Sequence, residues 1–555
     1  MSPTGLTDSS SVDRSVSSSA GGDRPVRDTP AIEGRSPRSS VAIIGGGIGG
    51  LTAGALLAKR GYKVNVFDLG IVPGGCASTF QRQGFTFDVG ATQVAGLEPG
   101  GIHHRIFEEL EIPLPEATPC EPACAVFLPG ESEPISVWRD PERWVAERQR
   151  QFPGSDRFWE TLNRLFRRSW DFQGRDPVLP PYHPWDIWQL LKALRPETLE
   201  TVPYTFSSVG DLLRQYGLEG DRRLKTFLDI QLKLYSQVNA DETALLYAAT
   251  AMGVSQAPLG LYHLKGSMQV LSDRLTEALI RYGGKLHLRH RVESIQVKNG
   301  RVESLTVRPL KPAPKSKAAD KSPLTVKADT VIANVPVQNL IKLVDDPQGL
   351  SPVNAGLWGA YRLRTENLED PSGAFVLYLG VNQDAIPDHC PPHLQFLYEY
   401  GGPIGENNSL FVSVSSPGDG RAPDGMATVI ASSFTDIHKW DGLSEADYQQ
   451  LKQAYTDQAI AQLSGYFNLG DDTIVYQEAA TPRSFVDFTG RDRGIVGGVG
   501  MRLSTFGPFG YGNRTPIPGL WLVGDSTHPG EGTAGVSYSA LTVVRQLEAA
   551  KKMTT

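Results

Sequence analysis

The sequence predicts an α/β protein in which one domain, built on a parallel sheet, is assembled from separated stretches of chain and interleaved with an α+β domain. Three observations predict it. A strand–glycine loop–helix–strand unit begins at Val41, and a second strand–glycine–helix unit begins near Gly519. The length of 555 residues exceeds what one hydrophobic core serves.

The first unit is VAIIGGGIGGLTAGALLAKRGYKVNVFD, residues 41–68. Its opening apolar run suits a buried parallel strand. LTAGALLAKRG reads as a helix with Leu51, Ala55, Leu56 and Ala58 on one side and Gly61 as its stop. KVNVFD is the next strand and ends in Asp68. Gly45, Gly47 and Gly50 have the spacing G-x-G-x-x-G. The first allows a tight turn, the second lets backbone approach a pyrophosphate, and the third lets helix pack on strand. The helix start offers free N–H groups and a positive dipole end to that anion. Asp68 can accept hydrogen bonds from a ribose, and its charge disfavours a 2′-phosphate. The pattern therefore predicts a Rossmann-type site for FAD or NAD rather than NADP.

Near the other end, GLWLVGD reads as a strand ending in Gly524-Asp525, and VSYSALTVVRQLEA as a helix. That unit suits an acid holding a ribityl chain and a helix start facing a flavin, although an ordinary βα turn has the same signature. If both units meet on one cofactor, the cofactor domain is discontinuous. It is expected over 40–130, 255–345 and 480–555, with a substrate domain over 131–254 and 346–479.

Composition bounds the rest. With 40% hydrophobic and 21% charged residues the chain reads as globular, and a net charge of −7 gives no case for nucleic acid as a partner. Cys76, Cys120, Cys124 and Cys390 form no disulfide framework in a chain this long. Cys120 and Cys124 lack a second pair at metal spacing, and His103-His104 lacks further ligands, so no metal is expected. No run of 18 apolar residues predicts a membrane-spanning helix. Residues 1–39 carry no apolar signal core and read as a disordered extension. KPAPKSKAADKSP, 311–323, reads as an exposed loop.

The opening motif, the Gly74-Gly75 pair after Asp68, GFTFDVGAT (84–92) and VGDSTHPGEG (523–532) together resemble the FAD-dependent carotenoid desaturases and isomerases, within the amine oxidase–like flavoproteins. Through HRIFEELEIPLPEATPC and STHPGEGTAGVSYSA the likeness is to the cyanobacterial C-3′,4′ desaturase branch. The resemblance implies FAD as cofactor. It implies that Gly45, Gly47 and Gly49 approach the pyrophosphate and that Asp68, where the family usually has Glu, holds the adenosine ribose. Gly74 and Gly75 match the family's Gly-Gly pair. Cys76 stands where the class often has an arginine for a phosphate. A backbone group near Val292 would meet adenine. Gly524 and Asp525 would hold the ribityl and phosphate region, and Thr533 to Val536 would pass the isoalloxazine.

The chemistry so implied is flavin-borne. No hydrolytic triad pattern is visible, and no second complete strand–glycine loop–helix–strand–acid module of the kind ending in Asp68 appears, which favours electrons leaving to oxygen or a quinone. The polar residues nearest the expected flavin are His528 and Glu531, as proton-handling groups or simply as loop supports. The substrate implied is a membrane-dissolved carotenoid, met by a protein peripheral to a membrane on its cytoplasmic side. FWETLNRLFRRSW (158–170) and WDIWQLLKALRPETL (185–199) have aromatic stripes beside Arg and Lys. Such helices suit either a lipid headgroup plane or a domain interface. The expected reaction is desaturation at C-3′,4′ near an acyclic end group. Cis–trans isomerisation on the same fold, an amine oxidase activity and a non-enzymatic carotenoid carrier are the alternatives.

Overall fold

The computed structural model describes residues 38–310 and 322–552, so nearly all of the expected extension over 1–39 and of the 311–323 loop lies outside the described residues, while Arg38 and Ser39 open the first strand. A five-stranded sheet forms the first layer. Its order is Lys285–His287, Tyr62–Phe67, Arg38–Ile44, Thr330–Ala333 and Leu520–Leu522. Counted along the chain this is 3-2-1-4-5, the doubly wound order, whose ligand crevice opens where the order reverses. The reversal falls between Arg38–Ile44 and Thr330–Ala333, which pair in parallel from Val41 opposite Thr330 to Ile44 opposite Ala333.

Helix Ile48–Lys59 runs from the first strand with eleven buried residues, an all-round apolar pattern that requires cover on every side. The cover comes from helices Gln269–Arg281 and Thr533–Lys552 and from the sheet itself. A three-stranded antiparallel sheet, His290–Lys298, Arg301–Pro309 and Leu324–Lys327, folds beside it. Val292 is buried in the cluster that joins the two.

The second layer is a seven-stranded sheet in the order Ile474–Ala480, Gly373–Asn382, Met426–Thr435, Ser409–Val414, His393–Leu397, Cys124–Phe127 and Ile135–Val137. Cys124–Phe127 pairs here, in parallel with His393–Leu397, so this sheet begins before residue 130. Between the layers lies a buried charge cluster. Arg421, 2% exposed, donates to Asp88 at 3.1 Å, to Asp419 at 3.1 Å and to the Leu264 carbonyl at 2.8 Å.

The two aromatic stripes have different fates. In helix Asp156–Gln173, Phe158, Trp159, Leu162 and Leu165 are all buried against Trp144, Phe152 and Phe227, so this stripe is core and not a lipid face. Amphipathic periodicity reports a face to be covered, not the identity of the cover. The second helix, Pro184–Ala193, ends earlier than expected because Arg195 is forced into extended backbone ahead of Pro196, and a 3₁₀ segment, Pro196–Phe206, follows. Its buried Asp186 accepts from Arg514 at 3.0 Å and from Gln546 at 3.1 Å, which fastens the helix inward. Its outer side leaves Ile187, Trp188 and Leu191 exposed, followed by Leu199, Val202 and Phe206. No helix among the described residues is long and apolar enough to cross a membrane.

Candidate functional site

The site is built at the C-terminal ends of the parallel strands. Gly45 leaves the first strand at φ +94°, a conformation that favours glycine. A Cβ on Gly50 would collide with the Gly45 carbonyl, so the third glycine of the spacing sets how closely the helix meets the loop. Gly45 and Gly47 are half-buried, whereas Gly49 is buried, its Cβ position 2.8 Å from Asn334 Oδ1 and 3.3 Å from the Val536 carbonyl. Gly45 and Gly47 thus edge the open cradle, and Gly49 spaces two helices.

Asp68 ties this loop to the next. Its Oδ2 accepts from the Gly46 N–H at 2.5 Å and its Oδ1 from the Gly70 N–H at 2.6 Å. Burial raises its pKa and the two N–H groups oppose that rise. Each oxygen keeps lone-pair capacity for a further donor. Gly74, at φ +119°, donates to the Gly46 carbonyl at 2.8 Å, and Gly47 and Gly74 bridge in parallel. The Gly-Gly pair therefore lies directly against the glycine loop. Half-buried Cys76 follows, its thiol pushed up by burial.

Two residues that sequence reasoning did not single out complete the floor. Asn334 donates from its backbone to Ile44 at 2.7 Å and from Nδ2 to the Gly45 carbonyl at 3.2 Å. Its side chain also lines the Cβ positions of Gly47, Gly49, Gly50 and Gly524, the last at 2.9 Å, so one amide joins both glycine units. Its only signal was its place just after an apolar strand. Arg491 donates to Asp525 at 2.8 Å and to the Ile495 carbonyl at 2.7 Å. Its charge also acts on Cys76, where the resemblance leads one to expect an arginine in sequence. Position 491, more than 400 residues from Cys76, carries that charge in space.

Gly524, at φ +113°, donates to Ser539 Oγ at 3.2 Å and accepts from Thr527 Oγ1 at 2.8 Å. Helix Thr533–Lys552 starts beside it, and Glu531, Ala534, Gly535 and Val536 remain part-exposed at its entry. His528 is buried near Phe506 and Tyr538, with ring centroids 5.7 and 6.4 Å away. The amide of Gln173 meets its Nε2 at 2.9 Å, and burial lowers its pKa to about 4. With the amide donating, Nε2 accepts and His528 carries its proton on Nδ1 as a neutral ring. Val292 lies in the cluster shared with Ile44 and Phe67, below the Asp68 turn.

The donor set fits a dinucleotide flavin. Two half-exposed glycines and two helix starts can meet phosphates, Asp68 can accept ribose hydroxyls, and Asp525 stands at the second unit. Fold and donor set together fit an FAD-dependent oxidoreductase of Rossmann type.

Residues 43–110 match the NAD(P)-binding Rossmann-like domain family. Prolycopene isomerase 1, chloroplastic, of an Oncidium hybrid cultivar is 26% identical over 525 residues, covering 91% of this chain and 83% of the relative. A 4,4′-diapophytoene desaturase (4,4′-diapolycopene-forming) of Methylomonas is 25% identical, covering 90% and 93%. Cyclohexylamine oxidase from Brevibacterium oxydans shares the fold at a TM-score of 0.57 and 15% identity, over 92% of this chain and all of that one. Over about nine-tenths of its length the chain is thus similar to carotenoid isomerases and desaturases, and it shares its fold with a flavin-dependent amine oxidase.

Proposed function

We propose that the protein is a carotenoid desaturase that binds FAD across its two glycine units and introduces a C-3′,4′ double bond near an acyclic end group. The observation that carries the reading is the meeting of both units on Asn334, within a chain that aligns over nine-tenths of its length with carotenoid enzymes. Gly45, Gly47, Gly74 and Gly75 would face the phosphates, Asp68 the adenosine ribose, the Val292 backbone the adenine, and Asp525 the ribityl chain. Gly49 and Val536 would set the spacing between the two helices that flank the cofactor. Arg491 would supply the positive charge that Cys76 lacks. The FAD-binding part would comprise 40–123, 255–345 and 480–555, with the substrate part between.

When bound, FAD supplies a two-electron acceptor for hydride. The chain's own residues orient the polyene and exclude water. The exposed Trp188, Leu191, Leu199, Val202 and Phe206 suit contact with a bilayer from which the polyene enters. Phe206 lies 5.9 Å from Phe509 and Phe506 lies 5.7 Å from His528, ring centroid to ring centroid, so aromatic side chains stand both at that surface and beside the terminal glycine unit. Oxygen or a quinone would accept the electrons afterwards. The likeness to prolycopene isomerases favours isomerisation as the second reading. Mass spectrometry of acyclic and monocyclic carotenoids, lipid-dispersed and incubated with the flavin-loaded protein with and without a quinone, tests both. A loss of two hydrogens with absorption moved to longer wavelength supports desaturation, and fragment masses place the new bond. Unchanged mass with changed retention supports isomerisation and refutes desaturation.

A further inference from the structure

Glu531 precedes the glycine that opens the terminal helix, and its carboxylate occupies a fitted slot. Gly497, at φ +70°, makes the room, since a Cβ there would collide with Oε2 of Glu531 and lie 2.5 Å from Nε2 of Gln237. Gln237 donates from Nε2 to Oε2 of Glu531 at 3.1 Å, and the Gly498 N–H faces the same carboxylate. Gln237 itself sits at φ +66°, a conformation unfavourable for a residue other than glycine and concentrated at functional positions. It is 6% exposed, and its Oε1 has no hydrogen-bond partner among the described residues. A buried amide is thus held in a strained backbone, with one end on Glu531 and the other unpaired.

The charges around Glu531 come from every side. Asp525 and Arg491 face it from the second glycine unit and the 490s loop, Tyr247 from helix Leu245–Gly253, and Lys233 from helix Arg222–Ser236. Arg491 is committed to Asp525, so it neutralises Glu531 only in part. Burial, reinforced by Asp525, pushes the Glu531 carboxyl up to about 8. Behind Gln237 lies a polar cavity of about 100 Å³ lined by Lys233, Glu242, Asp370, Ser372 and Arg502. Glu242 and Asp370 are 45% and 38% exposed, so the cavity reaches the surface, and its size and lining suit water.

We propose that Glu531 is the acid–base group that takes the substrate proton, and that the proton leaves past Gln237 through this cavity to solvent. The proposal rests on the flavin lying at the entry of the terminal helix. When bound, oxidised FAD would supply the acceptor for one hydrogen of the polyene together with its electron pair. The neighbouring carbon gives its proton to the Glu531 carboxylate, and the electron pair of that C–H bond becomes the new double bond. Water in the cavity then takes the proton, while oxygen or a quinone later accepts the electron pair.

Two measurements on the flavin-loaded full chain test this. Turnover of a lipid-dispersed acyclic carotenoid is followed against pH, and the infrared band of a protonated carboxyl is titrated with no carotenoid present. Wild-type turnover is expected to rise with pH through about 8, with the band lost over the same range. Glu531→Gln is expected to lower turnover by about 100-fold or more and to remove the band. Gln237→Gly keeps the left-handed backbone and removes the donor to the carboxylate, so both midpoints should move upward. A Glu531→Gln enzyme that keeps its rate and pH profile, or a Gln237→Gly enzyme with unmoved midpoints, overturns the proposal. If Glu531→Gln fails to hold flavin, the Gln237→Gly midpoint decides. A band that titrates as expected in a protein inert toward carotenoids refutes the carotenoid reading alone. Carotenoid turnover without the band refutes the Glu531 assignment alone.

Discussion

Replacing Asp68 with alanine perturbs the cradle at the residue that clips its two loops together. The carboxylate accepts from Gly46 at 2.5 Å and from Gly70 at 2.6 Å. Hydrogen bonds to an ionised acceptor contribute about 1.5–3 kcal/mol each, so the pair is worth about 3–6 kcal/mol before compensation. Two effects work against that sum. Alanine removes the desolvation of the carboxylate, the larger influence on its raised pKa, and the loop N–H groups regain some water. The flavin-free protein should therefore lose about 1–3 kcal/mol, read as a lower urea midpoint at constant slope. Loss of one charge-assisted ribose contact should weaken flavin binding by about 10- to 100-fold, read as flavin per protein after gel filtration. Asp68→Asn sharpens the test. Its Nδ2 would confront one of the two N–H donors, so it should resemble alanine rather than fall halfway. Full flavin content and an unmoved midpoint in Asp68→Ala would refute both the ribose assignment and the role of the clip.

Further outcomes follow from other contacts. Arg421→Met strands Asp88 and Asp419 in the interior and should cost about 3–5 kcal/mol by urea denaturation. His528 has its folded pKa lowered from 6.5 to about 4, so the stability it contributes is complete above 6.5 and is lost as pH falls toward 4. That amounts to about 3 kcal/mol, and His528→Gln should flatten this part of the stability–pH curve relative to wild type. Trp188→Glu with Leu191→Glu should abolish co-sedimentation with lipid vesicles while leaving flavin content and melting temperature unchanged.

Legibility in the sequence followed the range of the interactions. The strand–loop–helix unit ending in Asp68 was readable because its parts are consecutive, and each turn demands its own glycine. The terminal unit was readable for the same reason, although a βα turn alone did not separate a flavin from nothing. Asn334, Arg491 and Gln237 carry no local pattern. Each matters through a partner far away in sequence, and an isolated Asn, Arg or Gln has many surface uses. The aromatic helix around Trp159 shows a different limit. Its periodicity is the same whether the cover is protein or lipid, and only the packing against Trp144 and Phe227 decides it.

The strand order of the first sheet has a consequence for synthesis. Leu520–Leu522 and the helix after it complete a domain whose first strand is made nearly 500 residues earlier. Helix Ile48–Lys59, apolar on all sides, emerges from the ribosome long before Ala540, Val543, Val544 and Leu547 exist to cover it. At about 5–20 residues per second, that surface stays incomplete for roughly 25–100 seconds. A flavin held as proposed would find its cradle complete only after translation has passed residue 533, and until then the nascent chain carries an uncovered apolar helix.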